Sequence, residues 1–242
     1  MDILSVTKRQ PLDPDNILHF NGEEYIINSV KGMGTSSIVY EASLDGRKII
    51  LKELYPEGLG IFRDTTNDTT NSLIIPESRK NDFQSYKDGL EKAYKTQLKF
   101  HNDHKSRNYT SEPQKLYKCN NTLYVVMHLA SGNSYDQTRP DNVLSILEVG
   151  KALTEAIRNY HEKGFLNLDI KPQNIFVFPE TNQLIQLFDF DTVCTRNEIL
   201  QGRFSFSNGY AAPEVKDAKK GNGKLSEIAV KYFGTEDVIP SN

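Results

Sequence analysis

The apolar pattern of this chain changes period midway, and that change limits the possible folds more than any single motif. From "EEYIINSV" to "IVYEASLDGRKIILKEL" (residues 23–54), short β-branched and aromatic runs are broken by glycine or by Asp-Gly. Such runs predict consecutive antiparallel strands, and "LDGR" (Leu44 to Arg47) predicts a hairpin turn between two of them. Further on, "DNVLSILEVGKALTEAIRNYHEKG" carries its apolar residues at helical spacing and closes at Gly164, the residue type suited to a left-handed cap. A first helix is predicted in "NDFQSYKDGLEKAYKTQLKFH", with Phe83, Tyr86, Leu90, Ala93, Tyr94 and Leu98 on one face and Asn81 or Asp82 as cap. "TLYVVMHLA" reads as a buried strand, and "IFVF" and "IQLFDF" as two short ones. The polar stretch 61–80 reads as a mobile loop or insert, and "KDAKKGNGK" as a solvated loop. A β-rich first half with one helix, followed by a helix-led second half, predicts an α+β chain in two lobes with a cleft between them.

At 242 residues the chain can bury a substantial core without disulfides. Its two cysteines, Cys119 and Cys194, lie far apart in sequence and imply no disulfide framework. A net charge of −3 gives no reason to expect a nucleic-acid partner. No run approaches the ~20 apolar residues of a membrane span, and the start lacks the apolar core of a signal peptide. The cytoplasm is therefore the expected compartment, and the sequons at Asn67, Asn108 and Asn120 carry no weight.

The segment "FLNLDIKPQNIFVF" sets Asp169, Lys171 and Asn174 on a short loop between apolar runs. Those residues are either a polar surface turn or a site that handles a phosphate and a divalent metal. One tight loop can aim three side chains at one point only if they sit a few residues apart. Asp189, in "FDFDTVC", follows Asn174 by fifteen residues, enough for a small hairpin back to the same place. Near the start, "VKGMGTSSIVYEA" holds Gly32, Gly34 and Val39, and Lys52 stands thirteen residues after Val39. A hairpin without side chains lets backbone amides approach phosphates.

Taken in order, and with "SNGYAAPEV" near the end, these motifs resemble the eukaryotic-like serine/threonine protein kinase family over residues 20–235. The resemblance implies a bilobal protein-kinase-like α+β fold. It has an extension at 1–20, an upper lobe with hinge at 21–130, and a lower lobe at 131–242 that is incomplete at its end. It implies ATP and Mg²⁺ as cofactors and a protein as substrate. In this likeness Asp169 is the base that accepts the proton of the attacking hydroxyl, and Lys171 neutralises the transferring phosphoryl. Asn174 and Asp189 hold the metal, while Lys52 anchors the nucleotide phosphates and pairs with a helix glutamate. Glu91 is the candidate for that glutamate, with Asp88 and Gln97 as the alternatives left by the helix register. Gly32, Gly34 and Val39 cover the nucleotide, Ile50 lies over the adenine, Met127 is the gatekeeper, and the backbone of His128 and Ala130 holds the ring. Ser207 stands where serine/threonine kinases carry a threonine that bonds the catalytic Asp and Lys.

The pattern also departs from the family. Asn167 and Leu168 replace the His-Arg before the catalytic Asp, Asp191 replaces the glycine after Asp-Phe, and Ser37 replaces the third glycine of the loop. Without that Arg, a phosphorylated activation segment has no partner in the loop, which predicts activity independent of such phosphorylation. Ala229 sits where the family carries an aspartate, and by the resemblance the lower lobe is expected to be without the helices that supply an Arg for Glu214. The departures leave room for a partner protein that completes or regulates the lower lobe, and for a pseudokinase that works as a nucleotide- or partner-binding module. Small-molecule phosphotransferases of the aminoglycoside-kinase type share the Asp and Asn spacing but lack Lys-Pro and Ala-Pro-Glu.

Overall fold

The structure is a computed structural model that describes residues 8–65, 71–129, 132–138, 142–178, 185–221 and 223–233. It divides into two compact units, Met1–Leu98 with Glu112–Leu129, and Lys99–Ser111 with Ala130–Asn242.

The first unit is an antiparallel sheet in the order β1-β2-β3-β4-β8-β7. Its strands are β1 (Ile17–Phe20), β2 (Glu23–Met33), β3 (Ser37–Leu44), β4 (Arg47–Leu54), β7 (Pro113–Cys119) and β8 (Thr122–His128). Between β4 and the helix α1 (Lys80–Asn102) lies a small hairpin, β5 (Phe62–Arg63) with β6 (Leu73–Ile74). The β3–β4 turn takes the two positive φ angles of a type I′ hairpin, 49° at Asp45 and 73° at Gly46, as "LDGR" predicts. Period-2 alternation sends Ile38, Tyr40, Ala42, Ile49 and Leu51 into one core with Phe20, Tyr25, Tyr124 and Val126.

Three expectations change here. The sheet begins inside the stretch read as an extension over 1–20, because β1 pairs with β2 and Leu12, Leu18 and Phe20 are buried. The described parts of the stretch read as a loop over 61–80, residues 61–65 and 71–80, are a built part of this unit. Leu73 joins its core, and Arg63 reaches fully buried Glu53 (2.7 Å). Glu53 also accepts from Tyr40 Oη (2.8 Å) and Tyr124 Oη (2.9 Å), which satisfies a carboxylate that would otherwise be costly to bury. Burial works against the Arg63 charge, but Glu53 outweighs it and holds the guanidinium above its ordinary pKa. Finally, α1 buries Phe83, Leu90, Ala93, Thr96, Gln97 and Phe100, whereas Tyr86 is exposed.

The second unit centres on α2 (Val143–Glu162). Asn142 caps its start by accepting from Ser145 N (2.9 Å), and Gly164 follows its end at φ 75°. Short strands β9 (Asn133–Ser134), β11 (Ile175–Val177) and β12 (Ile185–Leu187) form one small sheet. Strands β10 (Phe165–Asn167) and β13 (Val193–Thr195) form another. Helix α3 (Arg196–Leu200) opens with a Thr195/Glu198 capping box. Helices α4 (Pro213–Lys219) and α5 (Leu225–Phe233) follow, so the first four residues of "KDAKKGNGK" close a helix and the rest of its described residues are turn or loop. Ala229 is wholly buried beside Leu166, Ile199, Val215 and Ile228.

Among the described residues, Gly132 is the one glycine where a Cβ would clash outright. A Cβ there would meet the Val177 carbonyl oxygen at 2.5 Å and the Phe178 ring at 2.8 Å. Gly132→Ala should destabilise the protein by about 1–3 kcal/mol in urea unfolding. Gly89→Ala, on the open face of α1, should stabilise it by up to about 1 kcal/mol.

Candidate active site

The loop after β10 gathers the polar residues picked out by sequence. Asp169 and Asn174 are buried at 4% and 8% exposure. Lys171 Nζ donates to Asp169 Oδ2 (2.6 Å) and to Ser207 Oγ (2.8 Å), while the Ser207 N–H donates to Asp169 Oδ1 (3.0 Å). Asn174 Nδ2 donates to Asp169 O (3.0 Å) and to Oδ2 (3.3 Å). A carboxylate has about four acceptor positions, and these bonds fill both on Oδ2 and one on Oδ1. Among the described residues, one acceptor position on Oδ1 remains open. Asn174, having turned its nitrogen to Asp169, keeps its carboxamide oxygen for another partner.

Asn167 ties this loop to the next. Its Oδ1 accepts from Asp169 N (3.0 Å) and from Thr192 Oγ1 (3.3 Å). That second loop carries Asp189, at φ 60° and ψ 85°. That left-handed backbone costs a non-glycine residue ~1–3 kcal/mol, and such strain gathers at functional sites. The neighbouring Phe190 holds it in place, buried against Tyr160 and Phe100 with centroids 5.8 and 6.1 Å apart.

In the first unit, strand register sorts the remaining candidates. Val39 lies opposite Lys52, Lys52 opposite Val125, and Ile50 opposite Met127, so all five project from one sheet face. Val39, Ile50 and Met127 are partly open, and Lys52 is 9% exposed. Gly32 pairs with Val39 at the end of β2, and Gly34 opens the turn into β3. The exposed His128 side chain bonds Gln114. Ala130 lies outside the described residues.

Glu91 does not meet Lys52. Its carboxylate accepts from Lys118 Nζ (2.6 Å) on β7. One residue is about 100° of helix turn, so Glu91 sits off the buried stripe that holds Leu90, Ala93, Thr96 and Gln97. The acidic residues of α1, Asp82, Asp88 and Glu91, all lie outside that stripe.

Two further residues had no sequence signal. The Glu214 carboxylate accepts from Lys231 Nζ and from Tyr232 Oη (2.9 Å), both on α5. The Lys231 hydrogen bond is the largest cause that holds the Glu214 pKa down at about 2. Its contribution to stability is therefore complete above the ordinary carboxylate pKa and fades as pH falls from 4.5 toward 2. Lys231→Ala should lower Tm at pH 7, and the difference from wild type should shrink through that window.

The protein kinase domain family matches residues 62–229. The serine/threonine-protein kinase MST20 of Pyricularia oryzae is 30% identical over 114 residues, covering 45% of this chain and 12% of that protein. The probable serine/threonine-protein kinase dyrk2 of Dictyostelium discoideum is 29% identical over 104 residues, 39% of this chain and 11% of that one. The chain thus spans only about an eighth of these curated relatives. Among solved structures, PpkA-294 in its apo form is similar at a TM-score of 0.59 and 25% identity, covering 74% of this chain and 61% of that one.

Proposed function

Since the chain belongs to the protein kinase family and has its α+β fold, we propose that it is an ATP- and magnesium-dependent serine/threonine protein kinase. The observation that carries this reading is the buried Asp169 carboxylate, fixed by Lys171, Asn174 and Ser207 with one acceptor position left on Oδ1. That position suits a substrate hydroxyl, which Asp169 orients and whose proton it accepts. Lys171, held beside it, balances charge on the transferring group. ATP with Mg²⁺, when bound, supplies the phosphoryl group and neutralises its oxygens.

The donor set fits that metal. Magnesium takes one or two protein carboxylates or other hard oxygens and leaves the rest to phosphates and water. Asn174 Oδ1 and the Asp189 carboxylate are such a pair. Lys52 anchors the phosphates under the hairpin of Gly32 and Gly34. Val39, Ile50 and Met127 line the adenine, with the His128 backbone beside them. The Ser207 bonds to Lys171 and Asp169 favour a serine or threonine acceptor, in a protein of the cytoplasm.

Leu168 bears on regulation. It packs with Phe206, Ala212 and Tyr232 against the apolar cluster under α5, at the position where an arginine would await a phosphate. Phosphatase-treated protein should therefore keep its activity within about twofold of the untreated sample, since no charge pair is lost.

A second reading, a pseudokinase that binds nucleotide or a partner, is favoured by the buried face of α1, which offers Thr96 and Gln97 where a carboxylate is expected. Incubation with labelled ATP, magnesium and a basic protein separates the two. The kinase reading predicts label transfer that falls at least about a hundredfold in Asp169→Ala. Nucleotide binding with equal, background transfer in both proteins would favour the pseudokinase instead.

A further inference from the structure

The tip of the glycine hairpin is tied down from an unexpected direction. The β3–β4 ladder ends at the Ser37–Leu54 pair, yet the two chains stay bonded beyond it. Tyr55 N donates to Ser36 O (3.0 Å), Glu57 N donates to Thr35 O (2.9 Å), and Gly34 N closes the turn on Ser37 O (2.9 Å). Pro56, which has no N–H, falls between the two donors. In a trans peptide the N–H points opposite to the preceding C=O. Pinning the Thr35 and Ser36 carbonyls toward residues 55–57 thus turns the Ser36 and Ser37 amides away from that segment.

Residues 55–57 are themselves held by the start of the chain. Arg9, 7% exposed, donates from Nη1 to Tyr55 O (2.7 Å) and from Nη2 to Glu57 Oε1 (2.5 Å). Its own stretch is fastened to the sheet unit by two side chains that also bond Glu53. Arg63 Nε donates to Gln10 O (3.1 Å), Leu12 N donates to Tyr40 Oη (3.1 Å), and the Leu12 side chain is buried. One guanidinium therefore bridges the two residues whose amides fix the tip of the hairpin.

We infer that Arg9 is a positioning residue for the nucleotide's phosphates: through Tyr55 and Glu57 it holds the glycine hairpin in its anion-binding form. This rests on the nucleotide reading above. Arg9 touches no nucleotide itself. Its effect should be confined to ligands that carry phosphates.

The test uses the full chain and calorimetric titration with magnesium-ATP and, separately, adenosine. Arg9→Ala should weaken ATP binding about tenfold, the scale of one lost charge-assisted hydrogen bond. Adenosine affinity and kcat at saturating ATP should be unchanged, while KM for ATP rises. Arg9→Lys, which keeps a charge but not the fork, should recover part of the loss. Hydrogen exchange should quicken in residues 33–38 and stay unchanged in 49–54. Unaltered ATP affinity in folded Arg9→Ala, or equal weakening of ATP and adenosine, would overturn the inference. If Arg9→Ala does not fold, Glu57→Ala decides: an ATP-specific loss of about two- to threefold supports it, as a half-exposed charge partner is worth less, and no loss overturns it. A wild type that binds neither ligand overturns the nucleotide reading, and this inference with it.

Discussion

A buried carboxylate is costly without hydrogen-bond partners, and Asp169 finds them on two stretches of chain. Lys171 and Asn174 come from its own loop, while Ser207 reaches it from well beyond β13. The stretch that ends at Glu214 is thus part of the site as well as its neighbour. From Ser207 the bonding runs on through Tyr210 N and Ala211 N, which both donate to Ser207 O, to the α4 start and the Glu214 contacts with α5. Leu168 and Phe206 join the apolar cluster beneath. Order in this segment comes from packing and local hydrogen bonds.

Both units hold their polar centres in this way, by satisfying buried charge. Glu53 takes Arg63 and two tyrosines, which draws the β5–β6 hairpin onto the sheet. Arg9 takes the Tyr55 carbonyl and Glu57, which draws in the start of the chain. Segments that look peripheral in sequence are therefore coupled to the hairpin of Gly32 and Gly34. In the second unit an exposed lysine, Lys219, ties down a loop as well, its Nζ donating to the Gly202 and Phe204 carbonyls over the Phe204 ring.

Much of this was legible in the sequence, for physical reasons that can be named. The "LDGR" turn demands two positive φ angles and uses residues that tolerate them. The Asp169, Lys171 and Asn174 spacing survives into the structure because all three belong to one short loop, and the Ser207 contact follows from the same likeness. The helix register survived at Phe83, Leu90 and Ala93 but not at Tyr86. Tyr86 and Leu98 count as apolar in any pattern, yet the buried stripe runs through the polar Thr96 and Gln97, so Glu91 was set on the wrong face. Lys231 and Tyr232 could not be foreseen either, because a contact between α4 and α5 has no fixed spacing. β7 was missed because "PQKLYKC" begins with proline and alternates weakly; its partner β8 supplies the pattern.

The most direct test of the central claim is a crystal structure with magnesium and a non-hydrolysable ATP analogue. The account predicts a magnesium ion about 2.1 Å from Asn174 Oδ1 and from the Asp189 carboxylate. Asp169 would still be bonded to the Ser207 amide, with its open Oδ1 position facing the terminal phosphate. A nucleotide bound without either metal ligand, or an Asp169 turned away from Ser207 when it binds, would contradict it.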